Sequence, residues 1–145
     1  MTQTLEQVLA STGVYSDGHS YRLLRLPANA ITLAAGILAE SGIPFCAAIA
    51  DKDEMSLLLR DDVQQEFGRR LRSAEISEQV YRQITFEAAL DPALVGFVAT
   101  ISQALAEAGV PILAYAAFSR DHIFVPAEQF DKALQVLSEL QAGYT

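Results

Sequence analysis

From residue 81 to residue 88 the chain alternates. Ile84 and Phe86 point one way with polar residues between them, the period of a half-buried strand. Asp91-Pro92 then offers a cap followed by proline at a first helical position. Leu94, Phe97, Val98, Ile101 and Leu105 recur at helical spacing until Gly109 stops the pattern. An apolar run over 112–118, a polar turn at Ser119-Arg120-Asp121 and a strand through Val125 follow, closed by Pro126. Phe130, Ala133, Leu134 and Leu137 mark one face of a last helix. An earlier stretch has the same order. A strand over 21–26 leads to a helix over 31–41, strands over 43–50 and 54–60, and a helix opened by Asp61-Asp62 at its positive dipole end. Residues 72–77 predict a short edge strand, and Thr4-Leu5-Glu6-Gln7 reads as a capping box for a short helix bearing Leu5, Val8 and Leu9.

That shared order is an internal repeat. Leu38-Ala39-Glu40-Ser41-Gly42-Ile43-Pro44 returns 67 residues later as Leu105-Ala106-Glu107-Ala108-Gly109-Val110-Pro111. Tyr21-Arg22 and Tyr81-Arg82 are 60 residues apart, as are Gly36 and Gly96. The seven extra residues then fall between Gly36 and Gly42, almost two helical turns, so the second helix is expected to be longer with its apolar face in phase. Each copy of strand, helix, strand, strand, helix predicts an α+β, ferredoxin-like βαββαβ unit. The expected division is 1–78, the N-terminal helix plus the first unit, and 79–145, the second. Units of this size bury a marginal core alone, so the two are expected to pack together. Self-association into a homodimer would extend the same logic.

Composition narrows the function. Eighteen acidic against ten basic residues among 145 give a net charge of −8, which repels phosphate backbones, so no nucleic-acid partner is expected. The short cluster Arg69, Arg70 and Arg72 lacks interleaved aromatics and reads as a solvated helix end. Charges interrupt every apolar stretch, so no membrane helix is expected, and no basic segment leads into an apolar block as in a secretory signal. A lone Cys46 rules out an intramolecular disulfide framework and makes the cytoplasm the default compartment.

Several segments, taken in order, are similar to a known family. Asp53-Glu54-Met55-Ser56-Leu57-Leu58 is followed by Leu94-Val95-Gly96-Phe97 at a helix start and Leu105–Val110 at its end. Ala116-Ala117-Phe118-Ser119-Arg120-Asp121-His122-Ile123-Phe124-Val125 completes the set. Over about residues 20–142 the chain resembles the ACT domain, and within it the tandem group of the CASTOR-type arginine sensors. The resemblance implies a regulatory protein binding a small molecule, usually an amino acid, between ACT-like units. It assigns ligand contacts to Ser56, Leu57, Gly96, Ala117, Phe118 and Asp121, with Arg120 beside them. A glycine at a helix N-terminus suits this, because it lets a carboxylate approach unpaired N–H groups. Three departures argue against arginine as the ligand. Ala116-Ala117 replaces a Ser-Thr pair, Arg120 adds a fixed cation, and Ala99 stands where a carboxylate would meet a basic ligand. A neutral or acidic amino acid, or another small carboxylate, is expected instead.

Catalysis has little to stand on. No phosphate-cradling glycine loop, His-Cys cluster or Ser-His-Asp arrangement is present, and His19 and His122 are isolated in sequence. Cys46 in an apolar strand reads as an inert thiol. Asp51, Asp53 and Glu54 lack calcium-loop spacing and read as a solvated hairpin tip. No catalytic residue, metal or cofactor is expected. The sequence thus points to a non-enzymatic, amino-acid-binding regulatory protein. The alternative is a structural or protein-interaction module with a degenerate ligand site, docking through the Leu5/Val8/Leu9 helix.

Overall fold

The strand and helix periods resolve into two α+β units in a computed structural model that describes residues 3–42 and 44–145. The expected strand start at Ile43 lies outside the described residues, and the strand itself begins only at Ala47, so Cys46 precedes it rather than belonging to it. The first unit is His19–Val80. It holds β2 (Ser20–Pro27), α2 (Ile31–Ser41), β3 (Ala47–Ala50), β4 (Glu54–Arg60), α3 (Asp61–Glu66) and β5 (Glu75–Ile76). The strands lie antiparallel in the order β3-β4-β2-β5, with Leu24 opposite Leu57 and Ile76. Leu24, Leu26, Met55, Leu57 and Leu59 project to the face covered by Ala34 and Ile37 of α2 and Val63 of α3.

The second unit joins the residues up to Gly18 to Tyr81–Thr145. It holds α1 (Leu5–Ser11), β1 (Val14–Tyr15), β6 (Tyr81–Phe86), α4 (Phe97–Glu107), β7 (Leu113–Ala116), β8 (Asp121–Pro126) and α5 (Phe130–Ala142). Its strand order is β1-β6-β8-β7, all antiparallel, with Val14 opposite Phe86 and Ile84 opposite Ile123. Ile84, Phe86, Ile123 and Val125 meet Phe97, Ile101 and Leu105 of α4 and Phe130, Ala133 and Leu137 of α5.

Both units are therefore βαββαβ in architecture, and the second obtains its fourth strand from the opposite end of the chain. The expected grouping of the N-terminal helix with the first unit is corrected here. Val8 and Leu9, each 2% exposed, belong to the second core. Burial of this kind contributes about 1.5–3 kcal/mol per side chain. Gln141 Nε2 of α5 donates to Leu9 O at 3.1 Å and Thr12 O at 2.8 Å, and Glu87 N donates to Gly13 O at 2.9 Å. The capping box forms as expected, with Gln7 N and Thr4 Oγ1 at 3.2 Å and Thr4 N and Gln7 Oε1 at 3.2 Å. Because its apolar face is consumed inside its own chain, α1 is not the free docking element of the alternative reading.

The repeat is real in three dimensions, but its extra residues are not in a helix. α2 and α4 are both 11 residues long and end at matching glycines, Gly42 (φ 61°) and Gly109 (φ 75°). Three residues, 28–30, join β2 to α2, whereas ten, 87–96, join β6 to α4. The seven-residue difference is a loop. Gly36 lies within α2 and Gly96 is the N-cap of α4, so the two glycines are not equivalents. Asp91-Pro92 caps only a turn, in which Asp91 Oδ1 accepts from Ala93 N at 2.9 Å. The chain then passes through Gly96 at φ 96°, a left-handed conformation that ends the turn and restarts the chain as helix at Phe97.

Candidate functional site

The long 87–96 loop and the β7–β8 hairpin face each other across the start of α4. Leu90 N donates to Ser119 O at 2.7 Å, and Arg120 Nε donates to Glu87 O at 3.2 Å, so loop and hairpin hold each other directly. The hairpin closes through Ala117 N to Arg120 O at 2.9 Å. From the other side, Gln3 Nε2 donates to Ala89 O at 2.8 Å while Asp91 N donates to Gln3 Oε1 at 3.0 Å. Leu5 backs Gly96 closely enough that a Cβ there would lie 3.2 Å from Leu5 Cδ2.

These elements enclose a cleft of about 380 Å³. Gly96, Ala117, Phe118, Arg120 and Asp121, five of the seven residues singled out in the sequence, line it. Ala116 and Ala99 line it too, so the departures from the resembled pattern fall on its wall. The first turn of α4 carries no acidic residue and no side-chain cap, which leaves its N–H groups and positive dipole end for an anion. Arg120 adds a cation whose Nε donates to the backbone, while among the described residues its two terminal nitrogens have no hydrogen-bond partner. Phe118 stands 97% exposed at the hairpin tip.

Two acidic residues line the cleft, Asp91, whose Oδ1 accepts from Ala93 N, and Asp121. Burial pushes the Asp121 carboxyl above the usual 3.8, opposed by neighbouring His122. Burial holds the His122 imidazole below its ordinary 6.5, opposed by the Asp121 carboxylate and reinforced by Arg120. His122 Nδ1 and Thr85 Oγ1 share a hydrogen bond of 2.8 Å. Cleft chemistry is thus one anion-seeking rim with two carboxylates, Asp91 and Asp121.

Ser56 and Leu57 are on β4 of the first unit and are not among the residues lining this cleft. Leu57 is fully buried under α2, so its side chain offers nothing to a ligand. Ser56 is half-buried and lines an open groove of about 480 Å³ with Arg25, Glu54 and Glu75. Arg25 is already paired there with Glu54 and Glu75. Cys46 packs against the first core, and burial raises its thiol. At the Asp51–Glu54 tip, Asp51 Oδ1 accepts from Asp53 N and Glu54 N at 2.8 Å, which holds its carboxyl below the usual range. Among the described residues no group of three His, Cys, Asp or Glu side chains could hold a metal ion, and no helix is long and apolar enough to cross a membrane.

Sequence reasoning missed the loop wall, Leu90, Pro92 and Leu94, and the Gln3 brace behind it. The signal was present in the change of repeat offset, which an accidental glycine match placed inside the helix.

Comparison with known proteins gives one family match over part of the chain and a set of similar folds. Residues 76–139 match the ACT domain. By sequence, no curated protein matches the chain. Protein VC0802 of Vibrio cholerae, of unknown function, superposes with a TM-score of 0.74 at 27% identity, covering 95% of this chain and 96% of that one. Atu0741 of Agrobacterium tumefaciens gives 0.71 at 19% identity over 90% of this chain and 89% of that one. The ligand-free regulatory subunit of aspartate kinase from Thermus thermophilus gives 0.69 at 20% identity over 90% and 98%. Most of the second unit is therefore similar to the ACT domain, on a chain whose two βαββαβ units share the fold of the aspartate kinase regulatory subunits.

Proposed function

We propose that the protein is a non-catalytic regulatory module that binds a small carboxylate-bearing metabolite, an amino acid, in the cleft of its second unit. The observation that carries this is the convergence of Gly96, Ala117, Phe118, Arg120 and Asp121 on one cleft at the uncapped start of α4. The ligand carboxylate sits at the α4 N–H groups with Arg120, and its ammonium at Asp121 and nearby carbonyls. Among ACT proteins the CASTOR-type sensors remain the functional parallel, with a ligand other than arginine, because Ala99, Ala116 and Ala117 remove polar partners from the wall. The relationship to an aspartate kinase regulatory subunit, a separate chain of the same fold, supports a regulatory rather than catalytic role. Regulation would follow from the ligand's differential affinity for two arrangements of the loop, hairpin and helix around it.

A thermal-shift screen of the common amino acids at millimolar concentration tests the reading. A ligand at a hundred times its Kd stabilises the folded state by about 2.7 kcal/mol, a readily measured rise in Tm. Arg120→Ala should abolish that rise. A screen with no shift for any compound counts against the site, and a shift unchanged by Arg120→Ala removes it from this cleft.

A further inference from the structure

The cleft continues inward. Phe97, Val98, Ala116 and Asp121 border it and also a second cavity of about 140 Å³ between α4 and the β7 side of the sheet. Phe86, Ile101 and Ile123 form the inner wall of this recess. It exists because the β7 residues that face α4, Ala114 and Ala116, are too small to close the gap between strand and helix. Asp121 and His122 of β8 and Tyr115 of β7 are its polar-bearing residues, and the other seven lining residues are apolar. A cavity of roughly 150 Å³ lined this way accommodates a benzene-sized group.

We infer that the recess takes the ligand's side chain, so that the ligand is an amino acid with a branched aliphatic or phenyl side chain. This rests on the reading of the cleft as the ligand site and narrows it. With the carboxylate held at the start of α4 and the ammonium at Asp121, the substituent on the intervening carbon reaches the recess that borders both. An acidic side chain there would face the Asp121 carboxylate and apolar walls. A lysine or arginine side chain would meet one carboxylate in the lining, Asp121, which the ligand ammonium already occupies. Charge in such surroundings is costly.

Affinities of glycine, alanine, leucine, phenylalanine and glutamate for the full chain, measured by calorimetry, provide the test. Leucine or phenylalanine should bind at least about tenfold more tightly than alanine, the discrimination one or more methylene groups give in an apolar pocket. Ala114→Leu, which fills the recess from an exposed position on an edge strand, should bring that preference towards one. Equal affinity across the series, or tightest binding of glutamate, would overturn the side-chain assignment while leaving the cleft as the site. Binding of none of the five by wild-type protein would remove the site and this inference with it.

Discussion

Asp121 and His122 are neighbours on β8, and burial drives each toward its neutral form. The consequences for stability have opposite signs. His122 is held below 6.5 in the folded chain, so the unfolded chain binds its proton more readily and stability falls as pH drops below 6.5. Asp121 is held above 3.8, so its penalty is full above its raised value and is relieved as pH falls towards 3.8. The histidine acts first on the way down from neutrality. Urea midpoints should therefore decline from about pH 7.5 to about pH 5.5, and His122→Gln, which keeps a partner for Thr85, should flatten the decline. An unchanged slope in the variant would assign the pH dependence to other groups.

At the scale of elements, α1 is held by the side chain of α5 that grips its end. Gln141 donates to both Leu9 O and Thr12 O, so Gln141→Ala leaves two carbonyls to find water. A loss of about 1–2 kcal/mol is expected, with faster hydrogen exchange over residues 5–12 and little change over 97–107. Equal protection of α1 in both proteins would show that its apolar face alone anchors it. Most of these elements were legible in the chain because period and punctuation agreed. The helix at 31–41 and the strand at 54–60 fall where expected. Of the two-residue strands, β5 falls inside the expected 72–77, whereas β1 went unseen because two residues carry no period. The start of α4 was misread because Asp91-Pro92 satisfies every local rule for a helix cap, while Gly96 five residues on reverses the backbone. The hairpin half of the cleft could be read from sequence because its residues are contiguous. The recess could not, since its walls come from α4, β6, β7 and β8 and its volume from alanines that carry no motif.

At the scale of the molecule, the two units differ most in the length of one loop, and the longer loop is a wall of the candidate site. The first unit, with three residues in the corresponding connection, lacks that wall. The two units also differ in continuity. The first is one stretch of chain and the second is assembled from two. Leu9, 2% exposed in the second core, separates their stabilities. Leu9→Ala should cost about 2–5 kcal/mol, and hydrogen exchange should show the loss over 81–145 rather than 19–80. Uniform loss along the whole chain would mean that the units unfold as one.

The split of the second unit has a consequence for biosynthesis. On the ribosome, α1 and β1 are made before all of His19–Val80, yet everything they pair with is made after it. The first unit is free to fold while the nascent chain is still lengthening, whereas Val8 and Leu9 must wait, uncovered, for β6, α4 and α5 to emerge. A capping box that biases those few residues towards helix in the meantime narrows the search that the late-arriving partners have to complete.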